Sequence, residues 1–182
     1  YIVTWICGLA ANGVYSVAYK IPSLLSMFQQ IFNQAWTISA VKEYDQDSSE
    51  FYSTIYKAYN MCMVITCAGL ILFDKVIAKI LFGADFYEAW KYAPFLMISV
   101  VFGALVQLLG GIFSAAKESK AFGNTILIGA AANTVMNVAF VYACGPLGAA
   151  IATSLSYMLI WALRLYKVTR QMKLDVSLIR DA

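Results

Sequence analysis

The chain has 182 residues, of which 62% are apolar, 15% aromatic and only 13% charged. Soluble domains carry about 25% charged residues, so this composition, with a mean hydropathy of +0.71, argues against a soluble globular domain, a disordered tail, a collagen-like fibre and a nucleic-acid module. The formal charge is a modest +3, and the absence of histidine removes Ser-His and Cys-His catalysis and every His-ligated metal site from this chain.

A bilayer-spanning helix needs roughly 20 apolar residues, and five segments are long enough. The chain starts at Tyr1 inside an apolar run, which reads as a piece of a longer protein. Residues 1–9 read as the end of a helix, with a turn at Ala11-Asn12-Gly13. The first complete span covers about 14–41. The hydrophilic stretch KEYDQDSSE (42–50) follows, with Asp47 placed to cap the next helix and Glu50 three residues on. The second span covers about 52–73, and Asp74-Lys75 mark its exit. Val76, Ile77, Ile80 and Leu81 then share one face opposite Lys75 and Lys79, as in a short helix lying in the interface plane. An aromatic, charged loop over 84–93 leads to the third span, about 94–116, with Pro94 in its first turn. The turn KESK (117–120), the fourth span (about 122–142), the turn Gly145-Pro146 and the fifth span (about 147–165) complete the set. The fold class expected is an all-α integral membrane protein: an antiparallel bundle of five complete transmembrane helices after a partial one. Cys7, Cys62, Cys67 and Cys144 form no CxxC pair and read as small buried apolar residues.

Short turns alternate the span ends between the two sides of the membrane. Lys42, Lys57, Lys117, Lys120 and the five basic residues from Arg164 to Arg180 then share one side. Lys20, Lys75, Lys79 and Lys91 share the other. Lysine and arginine counts set orientation, so the first group and the C-terminus are assigned to the cytoplasm. The tail from Arg164 to Lys173 reads as a solvated anchor that continues the last helix along the anionic leaflet. Trp36, Tyr44, Trp90, Tyr92, Trp161 and Tyr166 fall near span ends, as in an aromatic belt.

The first span carries the sharpest signal. At about 100° per residue, Ser16, Lys20, Ser23, Met27, Gln30 and Gln34 fall within about 80° of one another. A lysine near mid-bilayer costs about 2.5–3.5 kcal/mol on insertion scales and usually faces a bundle interior or a wet cavity. The stripe therefore reads as cavity lining, with Lys20 meeting an anionic group; outward snorkelling of Lys20 is the alternative. Pro22 removes a backbone hydrogen bond and should bend the helix, as a static kink or as a hinge. Ser99, Gly103, Gln107, Gly110 and Ser114 share a face of the third span, and that face reads as packing. Asn133 and Asn137 share a face of the fourth, where interhelical bonding and cavity lining both fit. Gly148, Ala152 and Ser156 form a packing seam in the fifth. No carboxylate lies in the middle of a complete span, which favours an anionic, hydroxyl-rich cargo over cationic drugs. Catalytic, metal and cofactor sites are not expected.

Three stretches in order, GVYSVAYKIPSLL (13–25), ILFGADFYEAWKYAPFLMIS (80–99) and GPLGAAIATSLSY (145–157), resemble polysaccharide and O-antigen flippases of the Wzx type. That family belongs to the superfamily of multidrug exporters and peptidoglycan-precursor flippases. The resemblance implies a full protein of about twelve or more helices, in two lobes around a shared mid-membrane cavity. This chain would be most of the second lobe, and the missing N-terminal lobe its partner. The implied activity is transfer of undecaprenyl-diphosphate-linked oligosaccharides across the cytoplasmic membrane by alternating access, for surface polysaccharide biosynthesis. Lys20 matches the lysine of the family's A-x-K-i helix start. The alternatives are a multidrug exporter of the same superfamily and a non-catalytic membrane assembly protein. A membrane-embedded transferase would require a carboxylate or histidine at the boundary, and the chain offers neither in a suitable place.

Overall fold

The computed structural model describes residues 2–42, 49–82 and 84–172. Among these residues seven α-helices follow in order: α1 (Ile2–Ala18), α2 (Lys20–Lys42), α3 (Ser49–Leu72), α4 (Asp74–Leu81), α5 (Ala93–Ala115), α6 (Ser119–Cys144) and α7 (Pro146–Met172), with a 3-10 helix (Ala84–Lys91) before α5. Among the described residues there is no strand. Hydrocarbon offers no partners to the backbone, so each segment satisfies its own N–H and C=O groups as helix. The helices α3, α5, α6 and α7 are each long and apolar enough to cross a membrane. The bent pair α1–α2 makes a fifth candidate. The molecule is an all-α, multi-pass membrane bundle.

The same backbone argument moves the first turn. Ala11-Asn12-Gly13 stay helical, and the Ser16 hydroxyl donates to the Asn12 carbonyl at 2.8 Å. The break falls instead at Gly8, whose φ of 87° and ψ of 174° suit a residue without Cβ. From there, residues 9–42 form a rod of about 50 Å, longer than the roughly 30 Å hydrocarbon core. It is bent by 44° between Ala18 and Lys20. Pro22 has no N–H to give the Ala18 carbonyl, and helical bonding resumes with the Ser23 N–H on the Tyr19 carbonyl at 2.9 Å. The expected proline bend is therefore present.

The helix α5 is the centre of the bundle, with 72% of its most apolar stretch buried against 11% for α6. Its small residues admit neighbours closely: Gly103 lies under the Tyr157 ring and Gly111 under the Trp36 indole. Trp36 donates its indole N–H to the Leu108 carbonyl at 2.8 Å and is 3% exposed. The belt position read for Trp36 is thus wrong. It faces α5 because its N–H finds a carbonyl there, which no lipid tail offers. On the other side of α5, Trp161 donates to the Tyr56 hydroxyl of α3 at 2.9 Å. Tyr52 donates to the Ala40 carbonyl at 2.7 Å, and Phe32 stacks on Tyr59 with ring centroids 3.9 Å apart; these contacts fasten α3 antiparallel to α2.

Three contacts fix the register of α6 against α7. Asn133 meets Ser156, Gly129 meets Ile160, and Thr125 meets Arg164. Each step moves down α6 and up α7 by one turn, so the pair is antiparallel. At the closed end Gly148 abuts the Phe140 backbone carbonyl, so the Gly148-Ala152-Ser156 seam does pack. A separate small apolar cluster of Val3, Val141 and Ala149 holds α1 against α6 and α7.

Outside the spans, α4 has the amphipathic face expected: Val76, Ile80 and Leu81 are exposed, while Ala78 is buried. Burial raises the Asp74 carboxyl above its ordinary range, against the lowering by the Lys75 N–H and ammonium. Lys75 sits over the Trp90 ring, 4.5 Å from its centroid. The loop read over 84–93 is a 3-10 helix over most of its length, closed by an ion pair between Lys91 and Glu88 at 2.8 Å. Of the cysteines, Cys67 is buried, Cys7 is half-buried, and Cys62 and Cys144 are exposed. The last two correct the expectation of burial. Tyr44, Asp47, Lys173 and Arg180 lie outside the described residues.

Candidate functional site

A cavity of about 550 Å³ opens between α2, α5, α6 and α7. Asn33 and Thr37 reach it from α2, and Gln107, Gly110 and Ser114 from α5. The α6 wall runs from Phe122 to Asn133, and the α7 wall from Thr153 through Ser156 to Arg164. Glycines make the space possible. A Cβ on Gly110 would sit 2.7 Å from the Arg164 Nη1 and 2.9 Å from the Phe122 ring.

Polar groups gather at two levels of this wall. At one, the Asn133 amide donates to the Ser156 hydroxyl at 3.0 Å, and Ser156 in turn donates to the Ala152 carbonyl at 2.6 Å. Asn137 does not line the cavity; its amide donates to the Asn133 carbonyl and Oδ1, both at 3.0 Å. The two readings of this asparagine pair therefore divide. Asn133 both bonds across helices and lines the cavity, and Asn137 orients Asn133.

At the other level stands Arg164, 1% exposed. Its Nε donates to the Thr125 hydroxyl at 3.1 Å and its Nη1 to the Val106 carbonyl at 2.6 Å. The guanidinium lies over the Phe122 ring, 4.4 Å from the centroid. Thr125 passes its own proton to the Phe122 carbonyl at 2.8 Å. Nη2 is buried and has no hydrogen-bond partner among the described residues. The helices α5, α6 and α7 contain no Asp or Glu. A buried charge held only by neutral dipoles and a ring carries a desolvation penalty of several kcal/mol.

This corrects the sequence reading of Arg164 as the start of a solvated tail. The tail itself does continue α7, which runs to Met172. The signal that could have found Arg164 was present. Continuing the Gly148-Ala152-Ser156 spacing by two further steps of four lands on Ile160 and Arg164, on the same inward face. Counting Arg164 with the basic residues after it hid that spacing. The third-span face likewise divides: Gly103 packs, whereas Gln107 and Ser114 line the cavity.

The stripe that runs from the end of α1 along α2 is placed differently. Ser16, Lys20, Ser23, Met27, Gln30 and Gln34 are all exposed. Ser23 gives its proton to the Lys20 carbonyl of its own helix at 2.6 Å. None of the six lines the cavity. The two polar regions adjoin, however, since Gln30, Asn33 and Thr37 follow one another at steps of three and four along α2. Of the residues singled out in sequence for substrate contact, the structure brings only Asn133 into the cavity, and it leaves Lys20, Ser16, Ser23, Gln30 and Gln34 together on the neighbouring open face. Among the described residues no group of three or more Cys, Asp or Glu could hold a metal ion.

The chain is similar to the probable low-salt glycan biosynthesis flippase Agl15 of Haloferax volcanii, with 26% identity over 151 residues. The match takes in 80% of this chain and 32% of the relative, so the chain spans about a third of the length of the curated relative it matches. No family model matches the chain, and no solved structure does.

Proposed function

We propose that this chain is the C-terminal lobe of a transporter that flips lipid-linked oligosaccharides, with an undecaprenyl-diphosphate carrier, across the cytoplasmic membrane. The observation that carries the reading is a cavity among membrane-crossing helices whose wall holds amides, hydroxyls and one guanidinium. A lipid-facing groove has no use for such groups, and an anionic cargo rich in hydroxyls does. The similarity to a protein named a glycan biosynthesis flippase supports the same reading.

In this proposal the open polar face of α2 lines the shared space between this lobe and the missing N-terminal lobe. Lys20, Ser16, Ser23, Gln30 and Gln34 belong to that space, and Asn133 to the adjoining recess, with Asn137 holding it in place from behind. Pro22 serves as the hinge. The segment N-terminal to the bend (9–18) is an arm of about 15 Å, and a change of about 10° there would move its tip by about 2.6 Å. Alternating access follows when such bends in the two lobes turn the shared cavity from one side to the other. In the proposed orientation the C-terminus is cytoplasmic, which the excess of Lys and Arg on that side supports.

Glycan export by the full-length protein tests the reading. Lys20→Ala should impair export and leave membrane insertion intact, and Lys20→Arg should be milder; normal export by the alanine variant removes Lys20 from the shared space. Cysteines introduced at Ser119 and Glu88 should label from the cytoplasmic and the external side respectively. The reverse pattern overturns the orientation.

A further inference from the structure

The guanidinium of Arg164 is held as a part-filled fork. Nε and Nη1 are committed to α6 and α5 through Thr125 and Val106. Phe122 covers one face of the group. These anchors come from two different helices, so they fix its position as well as its plane. What remains is Nη2, a buried donor with no partner among the described residues. Arg164 itself forms part of the cavity wall. Neutral partners satisfy its geometry and leave its charge uncompensated, and the four helices that build the recess supply no carboxylate.

From this we infer that Arg164 is an anion-binding residue, which takes a phosphate oxygen of a phosphate ester on Nη2 at its end of the recess. The inference deepens the transport reading by naming the group of the cargo that is recognised, and in that sense it rests on it. Guanidinium is the cation suited to the role, because its planar fork can keep two donors on protein while a third turns to the ligand. Phosphate is the anion favoured by the rest of the wall. Asn133 and Ser156 stand two helical turns, about 12 Å, along the same groove, where they can meet hydroxyls of the group esterified to the phosphate. Thr125 is a positioning residue: it touches the guanidinium and acts only through it.

The test uses the purified full-length protein in nanodiscs of zwitterionic phosphatidylcholine, with fluorescent polyprenyl diphosphate and uncharged polyprenol as probes. The wild type should bind the diphosphate more tightly than the alcohol. Arg164→Gln should weaken the diphosphate at least ten-fold and leave the alcohol unchanged, with Arg164→Lys in between. Thr125→Val, close in shape, should weaken the diphosphate a few-fold and decides the matter if the Arg164 variants do not fold. Competition by inorganic diphosphate would show that phosphate reaches the site from water, and competition by phosphatidylglycerol that a lipid headgroup does; either supports a phosphate site when it depends on Arg164. Diphosphate binding that is equal in the wild type and in folded Arg164→Gln or Thr125→Val overturns the inference. Glycan export that persists with such unchanged binding leaves the transport reading standing alone. Arg164-dependent binding without any export would do the opposite.

Discussion

The helices α2 and α7 both carry polar residues at one-turn spacing, yet the two series end in opposite surroundings. The α2 series, with Ser16 of α1 ahead of it, is open, and Ser16 and Ser23 each turn their protons back onto their own helix. The α7 series is closed: Ser156 and Arg164 are 3% and 1% exposed and bond to α6 and α5. Spacing tells which residues share a face. It does not tell what that face meets. Neighbours decide that, and the difference lies in the glycines opposite. Gly110 on α5 and Gly129 on α6 leave room for the α7 side chains, whereas none of the described residues covers the stripe on α2.

This contrast can be tested by substitution, with unfolding followed in detergent. The inner face of α2 should be the most sensitive part of that helix. Trp36→Ala removes a buried indole and its bond to Leu108, and should cost about 3–5 kcal/mol. A loss near zero would mean that α2 is held elsewhere. Gly148→Ala places a Cβ against the Phe140 carbonyl and should cost about 1–3 kcal/mol. Unchanged unfolding there would show that α6 and α7 part easily. Ser156→Ala leaves the Asn133 amide without its cross-helix acceptor. Such bonds average about 0.6 kcal/mol in membranes, and a much larger loss would make this level of the recess a structural centre. Lys20→Ala, on the open face, should stay within about 0.5 kcal/mol of wild type while export falls; a large stability loss would place the stripe in the core.

The smallest effect belongs to the pair outside the spans. Lys91→Ala should leave the unfolding midpoint unchanged, because both partners are exposed. The Lys91 hydrogen bond and charge hold the Glu88 carboxyl below its ordinary range. Whatever the pair contributes is therefore present above that range and lost as pH falls through it. A clear acid shift of the midpoint in the wild type, absent in Lys91→Ala, would assign the pair a structural role.

Much of the architecture was legible in the chain because lipid leaves so few options. Spans two to five differ from α3, α5, α6 and α7 by a few residues at most ends, and α4 has the amphipathic face expected of it. The errors share one cause. Asn12-Gly13 would turn in water, but here the backbone stays helical and Gly8 takes the break. Trp36 and Arg164 have side chains that suit an interface, and their positions near span ends point to one. Each instead found a carbonyl on α5, and that meeting depends on how helices distant in sequence approach one another. The recess was illegible for the same reason: four helices contribute to it, and no single periodicity contains it.

The turn at Gly145, with φ of 61°, sets the phase of everything beyond it. Each of the three meetings between α6 and α7 depends on the number of residues in that connection. Deleting Gly145 with α7 held in place would advance its sequence by one position, a rotation of about 100°. Tyr157 would then stand where Ser156 does, and Leu165 where Arg164 does. The charge would leave the recess for the half-buried place of Leu163, so a single loop position far from the guanidinium governs whether the wall is cationic or oily.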